Sequence, residues 1–209
     1  MRVEIISSNF LQVNTYLLVQ DNNCLLIDPG SNTKQILKII DKNHLNVLAV
    51  VLTHAHFDHF MSCNEINQLF DVPIYIHSKG IELLYDATKN VSDYVPGMTP
   101  LVLNQNILVK KINEETKDIE GFKLNIFHVP GHSPDSICLY FKDDKLVFTG
   151  DALFKLGVGR TDFYYGNEKQ LYTNIKNKLF KLPEDTIVYP GHGEHTTIGF
   201  ERKNNLYIR

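Results

Sequence analysis

The sequence predicts an α/β fold in which strands and helices interleave twice, giving two sheets sandwiched between helices. Three observations carry this prediction. The run Val47–Leu52 is continuously apolar, as expected of a strand buried on both faces. Segments with apolar residues at helical spacing follow strand-like runs in both halves of the chain. Four short clusters of metal-ligand side chains each follow a strand-like stretch, the end at which open α/β sheets carry their chemistry. A chain of 209 residues buries a substantial core and is expected to form a single domain over residues 1–209.

The elements follow in order. Val13–Val19 and Cys24–Asp28 alternate as strands around the turn Asp21-Asn22-Asn23, and Asp28-Pro29-Gly30 ends the second sharply. Lys34–Asn43 carries Ile36, Leu37, Ile39 and Ile40 in a helical pattern, with its start among Ser31 to Thr33. Val47–Leu52 then leads into Thr53-His54-Ala55-His56-Phe57-Asp58-His59, and Asp58–Phe70 reads as a helix. A short strand at Ile74–Ile76 precedes a long loop over Tyr85–Pro100 that could overhang the site. Strands return at Ile107–Lys111, Lys123–Val129, Ser136–Phe141 and Lys145–Thr149. A helix around Glu168–Phe180 and a last strand at Thr186–Tyr189 complete the pattern.

Composition excludes several classes. Hydrophobic and charged shares of 43% and 22% are those of a soluble globular protein. A formal charge of −3 offers no footprint for nucleic acid. No apolar run approaches the roughly 18 to 20 residues that span a bilayer, and the N-terminus does not read as a signal peptide. The three cysteines are too few and too scattered for a disulfide framework or a paired-cysteine zinc site, so a reducing cytoplasm is expected. Cys63, close behind the first histidine cluster, is the one with a conceivable reactive role. Oligomeric state has no readable motif.

The chemistry lies in seven side chains: His54, His56, Asp58, His59, His132, Asp151 and His192. His54 and His56 are two apart, so extended backbone points both the same way and lets them grip one ion. Asp58 and His59 come as the chain turns into a helix and can reach a second. His132 would complete the first set and His192 the second, while Asp151, with two oxygens, would bridge. Imidazole and carboxylate without thiolate suit zinc, iron or manganese, and two such ions generate hydroxide at neutral pH. Gly131, Gly150, Gly191 and Gly193 flank the ligands. Thr53, Ser133 and Thr149 are candidate donors for orienting ligands, and Asp28 a candidate for fixing a histidine tautomer. A His-x-His pair alone is weak evidence, but three later Gly-flanked ligands make chance an inadequate account. His44, His77 and His128 are expected to be ordinary surface or strand-end residues, and His195 to line the pocket at most. Glu114-Glu115 and Asp143-Asp144 read as solvated turns.

These motifs resemble the metallo-β-lactamase superfamily over nearly the whole chain. Gly150-Asp151-Ala152-Leu153-Phe154 with Gly159-Arg160-Thr161-Asp162-Phe163, Pro190-Gly191-His192-Gly193 with Thr196-Thr197-Ile198-Gly199, and Asn14-Thr15-Tyr16 are similar to the short, single-domain glyoxalase II group. The resemblance implies a four-layered αββα sandwich with a dinuclear site at one edge. It implies His54, His56 and His132 on one metal, Asp58, His59 and His192 on the other, and Asp151 between them. It further implies two divalent ions, zinc first with iron or manganese as alternatives, and hydrolysis of a small-molecule thioester of the S-lactoylglutathione type. Asp58 and Asp151 would be the catalytic carboxylates that orient the hydroxide. Arg160 would bind the carboxylate of the thiol carrier, unless it forms a structural ion pair with Asp162.

Three departures qualify this. Phe60-Met61-Ser62 replaces the usual small residue and glycines after His59, and Asp135 adds a carboxylate where glycine is common. Residues 193–209 alone follow the last histidine motif, whereas longer relatives add a helical domain that helps hold glutathione; the thiol carrier stays open. The alternatives are a mononuclear-iron persulfide dioxygenase and a metal-dependent hydrolase of another ester. Persulfide dioxygenases share the Gly-Arg-Thr-Asp-Phe stretch and hold iron through positions matching His54, His132 and Asp151, but typically have Pro-Ala-His where this chain has Pro190-Gly191-His192. Secreted β-lactamases would want a signal peptide and generally lack the histidine after the aspartate.

Overall fold

The computed structural model describes residues 1–163 and 165–208. The chain divides into two compact units, Met1–Ile112 and Asn113–Arg209. Each is built on one six-stranded sheet, with strands and helices mixed in both.

The first unit runs β1 (Arg2–Ser7), β2 (Asn14–Gln20), β3 (Asn23–Ile27), α1 (Thr33–Asn43), β4 (Asn46–Val51), α2 (Phe57–Phe60), α3 (Cys63–Phe70), β5 (Ile74–His77), α4 (Ile81–Leu84) and β6 (Val109–Ile112). Its strands lie in sequence order, antiparallel from β1 to β3 and parallel from β3 to β6. Leu25, Leu26, Ile27, Ala49 and Val51 are sealed from solvent, so the central strands are covered on both faces as their apolar runs require. The Asn32 side chain caps α1 by accepting from Lys34 N, and Ile36 and Ile40 form its buried stripe. His44 ends that helix in the left-handed conformation, exposed and without a part in any site.

The expected helix over Asp58–Phe70 is two helices, and the interruption has a local cause. The Asp28–Gly30 turn lies against the end of α2, where a Cβ on Gly30 would meet the Asp58 carbonyl oxygen at 1.7 Å. Ser62 N donates to Pro29 O at 2.9 Å rather than to its own helix, and Ser62 Oγ donates to Ser31 O. The long loop after α4 contains a 3₁₀ turn at Ser92–Tyr94, and it is pinned: Phe57 N donates to Asn90 O at 3.0 Å, and Asn90 Nδ2 to Leu101 O at 2.8 Å.

The second unit runs β7 (Thr116–Ile119), β8 (Phe122–His128), β9 (Ile137–Phe141), β10 (Leu146–Gly150), β11 (Leu153–Phe154), β12 (Gly157–Val158), α5 (Glu168–Asn177), β13 (Ile187–Pro190), β14 (Thr196–Thr197) and α6 (Ile198–Asn204). The sheet order is β14-β13-β10-β9-β8-β7, with only the β10–β13 pair parallel, and β11–β12 form a separate hairpin. Cys138, Tyr140, Val147 and Val188 of the sheet pack with Leu171 and Ile175 of α5 and Ile198 of α6. Each such fully buried aliphatic side chain stabilises the fold by about 1.5–3 kcal/mol. The helix expected to reach Phe180 stops at Asn177, and a 3₁₀ turn at Leu179–Lys181 continues it. No helix among the described residues is long and apolar enough to cross a membrane.

Candidate metal centre

Each unit presents a cluster of ligands at strand ends. In the first, β4 ends at Val51, and Leu52 N still donates to Tyr75 O at 2.9 Å, so the next residues leave the sheet from a fixed point. Thr53, His54, Ala55 and His56 follow in non-helical backbone, and His56 (φ −70°, ψ 141°) is the extended residue from which α2 starts. The two-residue spacing turns both rings one way: His54 Nε2 and His56 Nδ1 lie 3.1 Å apart. The His59 ring lies tilted beside them, its centroid 4.2 Å from that of His54, and its Nε2 lies 3.8 Å from Asp58 Oδ2. All four side chains are buried, His54 and His59 completely.

Asp28 organises this cluster. Its Oδ1 accepts from Thr53 N at 2.7 Å, and its Oδ2 accepts from Thr53 Oγ1 at 2.6 Å and contacts His59 Nδ1 at 2.9 Å. A carboxylate only accepts, so the His59 proton sits on Nδ1 and Nε2 becomes the ligating nitrogen. The Thr53 hydroxyl proton is committed to Asp28, so Thr53 Oγ1 accepts from His54 Nδ1, 3.2 Å away, and His54 is likewise set to ligate through Nε2. The roles expected of Asp28 and Thr53 thus appear as one network. The left-handed backbone of Asp28 (φ 47°) makes the sharp exit from β3 that brings its carboxylate there.

In the second unit, His132 follows the turn after β8, Asp151 follows β10 and His192 follows β13. Asp151 Oδ2 lies 3.5 Å from His132 Nε2 and 3.4 Å from His192 Nε2, so one carboxylate oxygen stands between two imidazoles. His132 Nδ1 donates to the Arg160 carbonyl oxygen at 2.7 Å, which leaves Nε2 as its ligating atom. Gly159 permits that strap to pass: a Cβ there would lie 1.8 Å from Asp151 O and 3.1 Å from the His132 ring. Phe163 and Phe154 set their rings edge-on to His132 and His192, each with centroids 6.0 Å apart. Sequence reasoning missed the Arg160 carbonyl, because a main-chain acceptor has no residue signature; the Gly159-Arg160 pair was its only trace.

The donor sets fit divalent ions. For nitrogen ligands about 2.0–2.1 Å from zinc, a tetrahedron has edges of about 3.3 Å. The 3.1 Å separation in the first cluster and the 3.4 and 3.5 Å separations in the second match such edges. His54, His59 and His132 each donate the Nδ1 proton to a neighbouring oxygen that holds the ring still, as metal-bound histidines do.

Other expectations resolve differently. Ser133 Oγ donates to the buried Asp135, and Thr149 Oγ1 donates to Leu153 O at 2.8 Å, so neither hydroxyl orients a ligand as expected. The extra carboxylate of Asp135 is therefore tied into the turn behind His132. Arg160 forms two hydrogen bonds with Asp162, at 2.6 and 2.7 Å, and its guanidinium lies 4.5 Å from the Phe163 ring centroid. That bond holds the Asp162 carboxyl down at about 2 and raises the pKa of the guanidinium. The Cys63 thiol is fully buried and its pKa is pushed well up, by burial first and by the Asp28 charge second, so it is a poor nucleophile. His77 closes β5 by accepting from Lys79 N, and His128 donates to Pro134 O. His195 is exposed and lines a cavity of about 510 Å³ with Lys155, Ile187, Thr196, Thr197 and Phe200, none of them a predicted ligand.

Comparison with known proteins agrees with this chemistry. The family model of the metallo-beta-lactamase superfamily matches residues 8–192. The chain is 39% identical to the probable metallo-hydrolase YqgX of Bacillus subtilis, over 95% of this chain and 93% of that protein. It is 33% identical to the hydroxyacylglutathione hydrolase GloC of Haemophilus influenzae, over 100% and 98% of the two chains. Among solved structures, the BLEG-1 B3 metallo-beta-lactamase superposes with a TM-score of 0.93 at 35% identity, covering 99% of each chain. A di-iron-bound form of TTHA1623 superposes at 0.86 with 32% identity, covering 98% of this chain and 100% of that one. The chain belongs to the metallo-β-lactamase superfamily and has its α/β fold.

Proposed function

Because the chain is a superfamily member with metal-ligand clusters in both units, we propose that it is a dinuclear-metal hydrolase that cleaves thioesters of the S-lactoylglutathione type. The observation that carries this reading is the set of buried imidazoles whose tautomers are already fixed for ligation, together with a bridging-type carboxylate and no thiolate. Full-length similarity to GloC, a hydroxyacylglutathione hydrolase, supports the thioester class. In this reading residues 1–209 act as one functional domain. His54, His56 and His132 would hold one ion, Asp58, His59 and His192 the other, and Asp151 would serve both.

Two divalent ions held there would supply Lewis acidity to the substrate carbonyl and bring the pKa of water toward neutrality. Asp58 and Asp151 accept hydrogen bonds from the attacking water and aim it at the carbonyl carbon. A thiol has a pKa near about 8.5, so its thiolate departs without a protein acid. Arg160 receives the carboxylate of the thiol carrier when Asp162 yields its place. Zinc suits the donor set first; iron is the alternative that the di-iron-bound form of TTHA1623 supports. Substrate recognition involves neither nucleic acid nor membrane, and the three free, buried thiols suit a reducing cytoplasm.

A second reading, β-lactam hydrolysis, is favoured by one observation, the similarity to the BLEG-1 B3 metallo-beta-lactamase. The test is a panel assay of the metal-loaded protein with S-lactoylglutathione, other glutathione and coenzyme A thioesters, a chromogenic cephalosporin, and glutathione persulfide under oxygen. We expect S-lactoylglutathione to give the highest kcat/KM. A cephalosporin turned over faster, or oxygen uptake without thioester cleavage, would overturn the thioester reading.

A further inference from the structure

Glu201 is a fully buried carboxylate on α6 that the proposed chemistry does not use. Among the described residues its hydrogen-bond donors are all neutral. Thr196 Oγ1 donates to Oε1 at 2.7 Å, while Leu156 N and Asn205 Nδ2 both donate to Oε2 at 2.9 Å. Burying a carboxylate is costly unless its oxygens are hydrogen-bonded. The three donors show what the carboxylate accomplishes. Leu156 forms the tip of the β11–β12 hairpin, where it takes a left-handed backbone conformation (φ 57°). Thr196 lies four residues beyond His192, at the start of β14. Asn205 adds a further tie to the hairpin by donating to Gly157 O at 3.0 Å.

The hairpin and the β13–β14 loop are the two segments that meet at His192. Phe154, on β11, presents its ring perpendicular to the His192 imidazole, with centroids 6.0 Å apart and an interplanar angle of 87°. Gly191 N donates to Gly150 O at 2.8 Å, which couples the same loop to the residue before Asp151. The imidazole of His192 is 25% exposed, against 2% for His132, so packing alone holds it less firmly. We propose that Glu201 is a positioning residue: it clamps the hairpin tip to the β13–β14 loop and so fixes His192 against Asp151 as a metal ligand. The inference rests on the two-metal reading for its metal readout, but not for its effect on the His192 ring.

Glutamine tests it cleanly. In Glu201→Gln the amide oxygen replaces Oε2 and accepts from Leu156 N and Asn205 Nδ2, while the amide nitrogen faces Thr196 Oγ1, which can accept instead of donate. Metal-free wild-type, Glu201→Ala and Glu201→Gln proteins would be titrated with zinc against a chelating dye, with tertiary structure checked by near-ultraviolet circular dichroism. We expect Glu201→Ala to bind its first zinc normally and its second roughly 10- to 100-fold more weakly, and Glu201→Gln to restore the second. A folded Glu201→Ala protein that binds both zinc ions as wild type does would overturn the proposal. A wild-type protein that takes up fewer than two zinc ions refutes the two-metal reading instead. The clamp is then judged on the ¹⁵N resonances of the His192 ring in metal-free protein: displaced by Glu201→Ala and restored by Glu201→Gln supports it, and unchanged overturns it. If Glu201→Ala does not fold, Thr196→Val, which deletes a single donor, carries both measurements with the same outcomes.

Discussion

Asp28→Asn separates the organising role of Asp28 from every other property of the first cluster. Asparagine matches aspartate in size and tolerates the left-handed backbone found at this position (φ 47°), so the turn leaving β3 should persist. The side chain, however, can no longer accept at both ends. Oδ1 takes Thr53 N, while Oδ2 takes Thr53 Oγ1 and faces His59 Nδ1. If the amide oxygen keeps the Thr53 N contact, the amide nitrogen meets His59 Nδ1 and forces its proton to Nε2, the ligating atom. If the amide flips, buried Thr53 N loses its acceptor. Either way a charge-assisted bond worth about 1.5–3 kcal/mol is lost. Disturbing such an outer contact typically weakens metal binding by roughly 10- to 100-fold, equivalent to about 1.4–2.8 kcal/mol. The assay is zinc titration of metal-free protein against a competing chelator, paired with urea unfolding of the metal-free form. We expect weaker zinc binding and a stability loss of about 1.5–3 kcal/mol. Zinc affinity equal to wild type would refute the tautomer argument.

Three further outcomes follow from the same geometry. Asp151→Ala, which removes the carboxylate 3.5 Å from His132 and 3.4 Å from His192, should abolish thioester turnover while the protein stays folded by circular dichroism; near-normal activity would refute the bridging role. His44→Ala should leave kcat and KM unchanged, because His44 is exposed and ends α1; a change in either by steady-state kinetics would show that it takes part in the site. Asp162 has a folded pKa depressed to about 2, chiefly by the hydrogen bond from Arg160. The contribution of that pair is therefore fully present above the unfolded aspartate pKa and disappears as pH falls through about 2. A carboxyl ¹³C titration should place its midpoint near 2 in the wild type and shift it up to the ordinary aspartate range in Arg160→Ala; an unmoved midpoint would show that another group holds Asp162.

The legible parts of the fold were those whose pattern follows burial on both faces or helical amphipathicity. β4 and α1 are such elements, and they appear within a residue or so of their expected ends. β1 and β7 escaped notice because they are sheet-edge strands, Arg2–Ser7 and Thr116–Ile119, in which Ile6 and Ile119 are the only buried residues, so neither shows a repeating buried apolar pattern. β14 is two residues long and α6 only seven, too short for periodicity to register. The break between α2 and α3 depends on Pro29 O capturing Ser62 N, a contact across more than thirty positions that no local window contains. In the site, side-chain chemistry was readable and main-chain chemistry was not. Asp28 could be suspected as a tautomer partner because aspartate is a specific acceptor, whereas the Arg160 carbonyl that holds His132 could belong to any residue. The hydroxyls of Ser133 and Thr149 misled because serine and threonine bond their own turns as readily as a neighbouring ligand.

In the proposed reading, the seven side chains together hold two divalent ions. Elemental analysis of the purified protein by plasma mass spectrometry, after reconstitution with zinc and removal of loosely bound metal, tests it most directly. Two equivalents per chain are expected in the wild type, with a clear loss in Asp151→Ala. One equivalent of iron taken up in preference to zinc, or no retained metal at all, would contradict it.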